Sequence, residues 1–253
     1  MYLHDALVTR TRWVAEGMCV ISLHSPEIAS SVRAGQFVNL GLPGFLLRRP
    51  FSVYRAEGDE IEVLLKPVGR GTSLLGSLSA GGGPLSVLGP LGRGFEMSAG
   101  GSGPVVLLSG GLGVAPMPLA AREAGASGRE VVWVHGARSS GELCSEWEGD
   151  RVVWATDDGS RGEHGTALSA VPDDAGLVIA CGPNRMLAGV AARFPEAQVA
   201  IETYMGCGTG VCLGCAVPLT SGGYDRACKE GPVYRADAID WDALPAHLHY
   251  SVA

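Results

Sequence analysis

The chain has 253 residues, of which 18% are charged, and its net charge is −7 at pH 7. This length suits two domains with a small additional segment. An acidic chain without a basic cluster is a poor ligand for nucleic acid, and no apolar run is long enough to cross a membrane, so the expected partners are small molecules or another protein.

The first part of the chain predicts an antiparallel β-barrel. Short segments rich in β-branched or aromatic residues are expected to form strands at 8–13, 18–23, 36–40, 51–54, 61–66 and 84–88. Six short strands with little helical pattern are typical of a barrel. We expect it to occupy residues 1–97.

The middle part predicts a doubly wound α/β domain. A run of small residues at 98–104 is typical of a linker. Apolar strands follow at 105–108, 131–134, 152–155, 177–180 and 199–201, with helices at 116–123 and 184–193. Strands this apolar, separated by crossovers, predict a parallel sheet covered on both faces, and we expect this nucleotide-binding domain to span residues 98–201.

Three loops at the carboxyl ends of these strands are candidate ligand sites, because ligands of open α/β sheets bind there. They are the glycine loop at 109–116, the polar loop at 156–160 and the turn at 181–184. In the glycine loop a pyrophosphate could approach the bare backbone and the start of a helix. The loop is not G-x-G-x-x-G, and packing alone also accounts for a glycine turn.

The C-terminal segment, residues 202–253, contains four cysteines in the spacing C-x4-C-x2-C-x12-C: Cys207, Cys212, Cys215 and Cys228. This pattern is that of a plant-type 2Fe-2S ligand set, and the glycines between the first three cysteines let the backbone wrap a small inorganic core. A structural zinc site is the alternative, but it usually pairs two C-x2-C knuckles and only one exists here. Disulfides would need an oxidising compartment, and the N-terminus shows no secretion signal, so we expect a cytoplasmic protein.

Five motifs in this order resemble the ferredoxin–NADP reductase superfamily over both domains. They are Arg49-Pro50-Phe51-Ser52, Gly69-Arg70-Gly71-Thr72, Gly89-Pro90-Leu91-Gly92, the glycine loop from Gly110 to Pro116, and Cys181-Gly182-Pro183. With the cysteine segment and the polar loop at 156–160, the chain is similar to the electron-transfer subunits of NAD-dependent, two-subunit dihydroorotate dehydrogenases.

The resemblance implies an FAD site on the barrel. Arg49 would meet the FAD pyrophosphate, and Ser52 would hydrogen-bond the flavin ring beside Pro50 and Phe51. Phe51 stands where many reductases have tyrosine, so only its stacking is expected to remain. The other implied FAD contacts come from Leu64, Leu65, Lys66, Gly71 and Thr72, although Leu64 and Leu65 also suit a barrel core.

The resemblance also implies a nicotinamide nucleotide site. Its residues would be Gly110, Gly111, Gly113, Asp157, Cys181, Gly182 and Pro183. The family expectation is NAD, while Arg138 and Arg161 are candidate ligands for the 2′-phosphate of NADP. Cys181 lies either near the flavin or in ordinary strand packing.

The implied function is electron transfer from the FMN of a catalytic dihydroorotate dehydrogenase subunit, through a 2Fe-2S cluster and FAD, to NAD in pyrimidine biosynthesis. A heterotetramer with two copies of each subunit is implied, and no catalytic acid or base is expected in this chain.

Two alternatives stay open. One is a diaphorase subunit of a hydrogenase, a sulfhydrogenase or a ferredoxin-dependent NAD(P) transhydrogenase, and the other is a non-enzymatic scaffold with a four-cysteine zinc site.

Overall fold

A computed structural model describes residues 1–147 and 149–245 of the chain. It contains two seven-stranded sheets and one two-stranded sheet. The last part of the predicted C-terminal segment, residues 246–253, lies outside the described residues. Among the described residues no helix is both long and apolar enough to span a bilayer.

The first sheet is antiparallel, with the strand order β1-β7-β4-β5-β6-β3-β2. Its edge strands β1 and β2 are separated in sequence by Leu7 alone, so the sheet must curl until its two edges meet. This confirms the predicted barrel. The strands are β1 Tyr2–Ala6, β2 Val8–Ala15, β3 Met18–His24, β4 Phe37–Gly41, β5 Arg49–Glu57, β6 Glu60–Leu65 and β7 Leu85–Leu91. The helices of this part are α1 Pro26–Ala29 and α2 Arg70–Gly76.

Three elements of the barrel were not predicted, namely strand β1, the short helix α1 and helix α2. Strand β1 is mostly exposed and includes His4 and Asp5, so it lacks the apolar pattern of a strand. Helix α2 begins in a glycine-rich sequence, and glycine disfavours helix. The Thr72 side chain compensates at its start, because Thr72 Oγ1 accepts hydrogen bonds from the backbone N–H groups of Val68 and Gly69 at 3.0 and 3.1 Å.

The second sheet confirms the predicted doubly wound fold. Its order is β11-β10-β9-β8-β12-β13-β16, where β16 is Val233–Arg235, and all its pairs are parallel except the last. The chain winds outward from β8 to β11 and then returns to place β12 on the other side of β8, so the topological switch point lies between β8 and β12. The strands are β8 Val105–Gly110, β9 Val131–Ala137, β10 Arg151–Thr156, β11 Glu163–His164, β12 Leu177–Cys181 and β13 Gln198–Ala200. The longer helices are α3 Met117–Ala126 and α4 Asn184–Arg193.

The cysteine segment is joined to both modules. Its strands are β14 Ala216–Pro218, β15 Tyr224–Arg226 and β16 Val233–Arg235, and β16 pairs antiparallel with β13 of the second sheet. On the barrel side, Arg93 N donates to Gly231 O at 2.6 Å. Short 3-10 helices complete the chain at Gly111–Val114, Ser140–Glu142, Ala167–Ala170, Ala236–Ala238 and Trp241–Ala243. The boundaries predicted for the three parts stay predictions.

The run at 98–104 is held by one arginine. The Arg129 guanidinium donates to the carbonyls of Met97, Ala99, Gly101 and Gly103 at distances between 2.8 and 3.4 Å. A planar donor fork can hold several carbonyls at once, so this connection has a defined path between the two modules.

A network of ion pairs joins the barrel to the second module. Glu146, which follows β9, pairs with Arg12 of β2 at 2.6 Å and with Arg55 of β5. Arg12 also pairs with Glu62 of β6 at 2.6 Å, and Tyr54 donates to Glu146 at 3.3 Å. The hydrogen bond from Arg12, opposed by partial burial and aided by Arg55, lowers the pKa of Glu146 to about 2. These contacts fix the angle between the modules.

We expect Glu146→Gln to lower the free energy of unfolding at pH 7 by about 2 kcal/mol, because two partly buried guanidinium groups lose their carboxylate. For a chain of this size that is a melting temperature lower by roughly 4–8 °C. A carboxylate with a depressed pKa stabilises the fold above its unfolded pKa of about 4.3, and this stability is lost as pH falls towards 2. The difference between wild type and variant should therefore shrink below about pH 4. Thermal melts of both proteins at matched pH values, with the exposed Glu57→Gln as control, check this. A difference that stays constant down to pH 3 would contradict it.

Candidate functional site

A cavity of about 780 Å³ opens between the barrel and the second sheet. It lies at the carboxyl ends of β8, β9, β10 and β12, where the switch point predicts a ligand. This volume is in the range of cofactor sites. Its lining includes eight of the predicted residues, which are Lys66, Gly110, Gly111, Gly113, Arg138, Asp157, Gly182 and Pro183.

The glycine loop after β8 packs closely against the turn after β12. Gly111 has φ +54°, a conformation that favours glycine, and a Cβ on Gly113 would overlap the carbonyl of Cys181. The loop forms a 3-10 turn, and α3 begins at Met117 behind it. The bare backbone of this loop is therefore exposed to the cavity and accessible to a phosphate group.

Cys181 lies at the end of β12 and is buried. Burial, together with the nearby Glu202 carboxylate, raises the pKa of its thiol, so the thiol is neutral at ordinary pH. Cys181 itself is absent from the cavity lining described above, whereas the next residues, Gly182 and Pro183, belong to it. A role for Cys181 toward a cofactor stays a prediction.

Glu202 is a cavity residue that the sequence analysis missed. It follows β13 by two residues and lines the cavity with Lys66 and the glycine loop. Burial raises the pKa of its carboxyl. The rule that polar residues after parallel strands mark a ligand site applies to β13 as well, and it would have selected Glu202.

Two basic side chains at the cavity, Arg138 and Lys66, are engaged by one carboxylate. Glu142 pairs with Arg138 through both carboxylate oxygens and lies 3.7 Å from Lys66. The bond with Arg138 lowers the pKa of Glu142. Arg161 stacks on the Trp154 ring with its Cζ 4.6 Å from the ring centroid.

Arg48 and Arg49, the two adjacent arginines before Pro50, have different environments. Arg48 donates to the backbone oxygens of Asn39 and Ser86 at 3.2 and 3.0 Å, so its guanidinium ties strands together. Arg49 lies over the Phe45 ring at 4.1 Å and against Gly71, where a Cβ would overlap its guanidinium. The structure thus brings Arg49 together with Gly71 of α2, as expected for a shared pyrophosphate site.

Most of the other predicted flavin residues lie on β5 and β6, while Lys66 follows β6 and Thr72 is in α2. Pro50, Phe51 and Ser52 are half-buried on β5, whereas Leu64 and Leu65 are buried in the barrel core. The Thr72 hydroxyl donates to Gly69 O at 3.1 Å, so a hydrogen bond from it to a phosphate would have to replace that contact. The roles assigned to these residues stay predictions.

The four cysteines form two pairs, and backbone N–H groups point at their sulfurs. Cys215 Sγ and Cys228 Sγ are 3.3 Å apart. Cys207 N donates to Cys212 Sγ at 3.5 Å, and Cys212 N donates to Cys207 Sγ at 3.4 Å. The pairs are adjacent, because Thr209 N donates to Cys207 Sγ at 3.4 Å and the next amide, Gly210 N, donates to Cys228 Sγ at 3.1 Å.

This donor set fits a 2Fe-2S cluster. Such a core takes four thiolates, two on each iron, and accepts N–H donors at its sulfurs. Burial raises the pKa of Cys207, but the N–H groups of Cys212 and Thr209 outweigh it and lower that pKa to about 5, which favours the thiolate. Within the described residues no group of three or more His, Cys, Asp or Glu side chains is arranged to hold a single metal ion.

The structure combines three features: a curled antiparallel barrel, a doubly wound sheet with a nucleotide-sized cavity at its switch point, and a set of four cysteines. Together they define the class of flavin-dependent nicotinamide reductases with an iron–sulfur centre. Comparison with known proteins narrows this class. Residues 202–240 match the iron–sulfur cluster binding domain of dihydroorotate dehydrogenase B.

Two curated relatives are named dihydroorotate dehydrogenase B (NAD(+)), electron transfer subunit. The one from Bacillus caldolyticus is 33% identical over 92% of this chain and 96% of its own length. The one from Desulforamulus reducens is 32% identical over 94% of this chain and 98% of its own length. The chain therefore belongs to the family of dihydroorotate dehydrogenase B electron transfer subunits.

The fold is also found in a solved structure of an NADH-dependent reduced ferredoxin–NADP oxidoreductase, described in a study of flavin-based electron bifurcation. It has a TM-score of 0.83 and 28% identity, and the match covers 94% of this chain and 91% of that one. Together these findings confirm the predicted resemblance, the fold class and an NAD-linked oxidoreductase subunit with FAD, a 2Fe-2S cluster and NAD as cofactors. They also support a catalytic dihydroorotate dehydrogenase partner.

Proposed function

We propose that this chain transfers electrons from the FMN of a dihydroorotate dehydrogenase catalytic subunit to NAD, in the synthesis of UMP. One observation carries the proposal: the loop with the paired cysteines lies against β4, the barrel strand that pairs with the flavin motif on β5. The chain also belongs to the family of electron transfer subunits described above. A bound FAD exchanges hydride with nicotinamide and single electrons with an iron–sulfur cluster, and this conversion connects the two ends of the path.

In this proposal the residues of the chain bind and orient the cofactors. Cys207, Cys212, Cys215 and Cys228 hold the cluster. Arg49 and Gly71 hold the FAD pyrophosphate, while the strand residues 50–52 orient the ring. The loops after β8, β10 and β12 hold the nucleotide, and the ion pairs of Glu146 keep the two modules at a fixed angle.

We infer NAD rather than NADP as the nucleotide, because NAD(+) is part of the names of the relatives described above. The two arginines considered for a 2′-phosphate are both engaged, since Arg138 is paired by Glu142 and Arg161 covers Trp154. Asp157 adds an acidic side chain to the same lining.

We expect Arg49→Ala to weaken FAD binding about tenfold to a hundredfold, because a charge-assisted contact with a phosphate is lost. Arg49→Lys keeps the charge without the planar fork, so its effect should be intermediate. Titration of FAD-depleted protein with FAD measures this, and the exposed Arg33→Ala serves as a control. If Arg49→Ala binds FAD with unchanged affinity, the pyrophosphate is not bound at this strand.

The partner and its stoichiometry are part of the proposal. We propose a heterotetramer of two catalytic and two electron-transfer subunits in the cytoplasm. All seven cysteines are free of disulfides, which suits a reducing compartment.

The test is NAD reduction by dihydroorotate under anaerobic conditions, with this chain and an FMN-containing catalytic subunit from the same genome. We expect NADH to form only when both chains are present. If no NADH forms although the flavin and cluster spectra are intact, the partner is a different electron donor.

A second candidate is a subunit of a ferredoxin-dependent NAD(P) transhydrogenase. The observation that favours it is the likeness in fold to the ferredoxin–NADP oxidoreductase described above, at a TM-score of 0.83. Reduced ferredoxin should then replace dihydroorotate and the catalytic subunit as the source of electrons in the same assay.

A further inference from the structure

Asn39 is a buried amide on the barrel strand β4, and it joins two parts of the chain that carry different cofactors in the proposed function. In the ladder its Cα partner on β5 is Pro50, within the flavin motif. Its side chain is fully buried, and Asn39 Nδ2 donates to the carbonyl oxygen of Cys207 at 3.1 Å. The two residues are 168 positions apart in the sequence.

The cysteine loop is shaped to receive this amide. Gly208 has φ +71°, and a Cβ at this position would overlap Asn39 Nδ2. Cys207, whose carbonyl the amide holds, also accepts N–H donors of Thr209 and Cys212 at its sulfur. The amide therefore contacts the loop at the residue that would be the first cluster ligand.

Packing alone does not explain an asparagine here. Its strand neighbours Val38 and Leu40 are buried apolar residues, and Asn39 Oδ1 is buried without a hydrogen-bond partner in the described part of the chain. An unsatisfied buried oxygen costs about 1–3 kcal/mol, which a leucine of similar volume would avoid. On the other side, Arg48 anchors the Asn39 carbonyl oxygen at 3.2 Å, so the residue is held firmly.

We propose that Asn39 is a positioning residue that fixes the cluster loop against the flavin strand through its bond to the Cys207 carbonyl, and thereby sets the orientation of the cluster toward FAD. This inference rests on the proposed function. In this proposal the stability of the cluster depends on the barrel as well as on the cysteine segment. Phe37 and Leu91 of the barrel share an apolar cluster with Cys215 and Cys228, but apolar packing has no comparable directional contact.

The test is Asn39→Leu in the purified anaerobic holoprotein, compared with wild type. The variant removes both the donor and the unsatisfied oxygen, so the barrel should remain folded with its FAD. We expect the cluster absorbance to decay about tenfold faster in an iron chelator, as the loss of one buried hydrogen bond implies. The electron paramagnetic resonance spectrum of the dithionite-reduced cluster should change, and electrons should pass more slowly from NADH-reduced flavin to the cluster.

The matched control is Gln198→Leu. Gln198 is also a buried amide that joins two parts of the chain, since its side chain bonds both the N–H and the carbonyl of Glu96 at 2.7 and 2.8 Å. In the described part of the chain its side-chain hydrogen bonds reach only Glu96, so its loss should lower stability without changing the cluster spectrum. If Asn39→Leu does not fold, Asn39→Ala removes the amide without adding bulk or charge, and the same readouts apply.

Chelator kinetics and a spectrum equal to those of wild type in the Asn39 variant would overturn the positioning role. Failure of the proposed function would be seen differently, because it is tested with the wild-type chain. If NADH reduced neither the flavin nor the cluster of the wild type, the proposed function itself would be overturned.

Discussion

Replacing Cys212 with serine is expected to abolish electron transfer to the catalytic subunit while FAD stays bound. The four thiolates act together as ligands, so loss of one should reduce the iron content to background. The proposed FAD site uses β5 and α2, which contain none of the four cysteines. NADH should therefore still reduce the flavin and artificial dyes.

Iron analysis, the flavin spectrum and the two activities of the purified variant measure this result. The matched control is Cys144→Ser, since Cys144 lies outside the cysteine segment and a hydroxyl can still meet Tyr54, now 3.5 Å from the thiol. Loss of FAD together with iron in Cys212→Ser would show that the barrel and the cysteine segment form one cooperative unit.

The second large effect is expected at the exposed apolar residues beside Cys212. Val211 and Leu213 are 81% and 63% exposed, and Leu213 has φ +59°, a conformation that is unfavourable for leucine. A strained, exposed apolar side chain next to a proposed cluster ligand indicates a contact surface, and electrons must enter the cluster close to it. We propose that Val211 and Leu213 form the contact with the catalytic subunit.

We expect Leu213→Asp to abolish formation of the two-subunit complex, because a charge would be buried without a partner in the interface. Leu213→Gly should keep the cluster loop intact, since glycine adopts this φ freely, and should weaken binding about thirtyfold through the loss of roughly 2 kcal/mol of apolar burial. Analytical ultracentrifugation with the catalytic subunit measures both. Leu3→Asp, at the same 63% exposure on β1, is the control. An intact complex in Leu213→Asp would place the docking surface elsewhere.

The extent to which sequence predicted the site differs between its parts. The paired cysteines were predicted as a ligand set from spacing alone, because a short loop brings its own residues together. The loops after β8, β10 and β12 were predicted because parallel strands place their carboxyl ends at one edge. Glu202 was missed although it also follows a parallel strand. Helix α2 was missed because its glycines disfavour a helix, whereas the Thr72 cap stabilises one.

The sequence by itself determined the barrel, the doubly wound sheet and the cysteine set, since the strand period, glycine turns and ligand spacing are all local properties of the chain. Only the tertiary structure decided which distant residues meet. The bond from Asn39 to Cys207 spans 168 positions and that from Arg12 to Glu146 spans 134. The pairing of β16 with β13 likewise joins the cysteine segment to the second sheet. Such contacts leave no periodic or compositional pattern, because they depend on how packed modules face each other and not on the conformation of neighbouring residues.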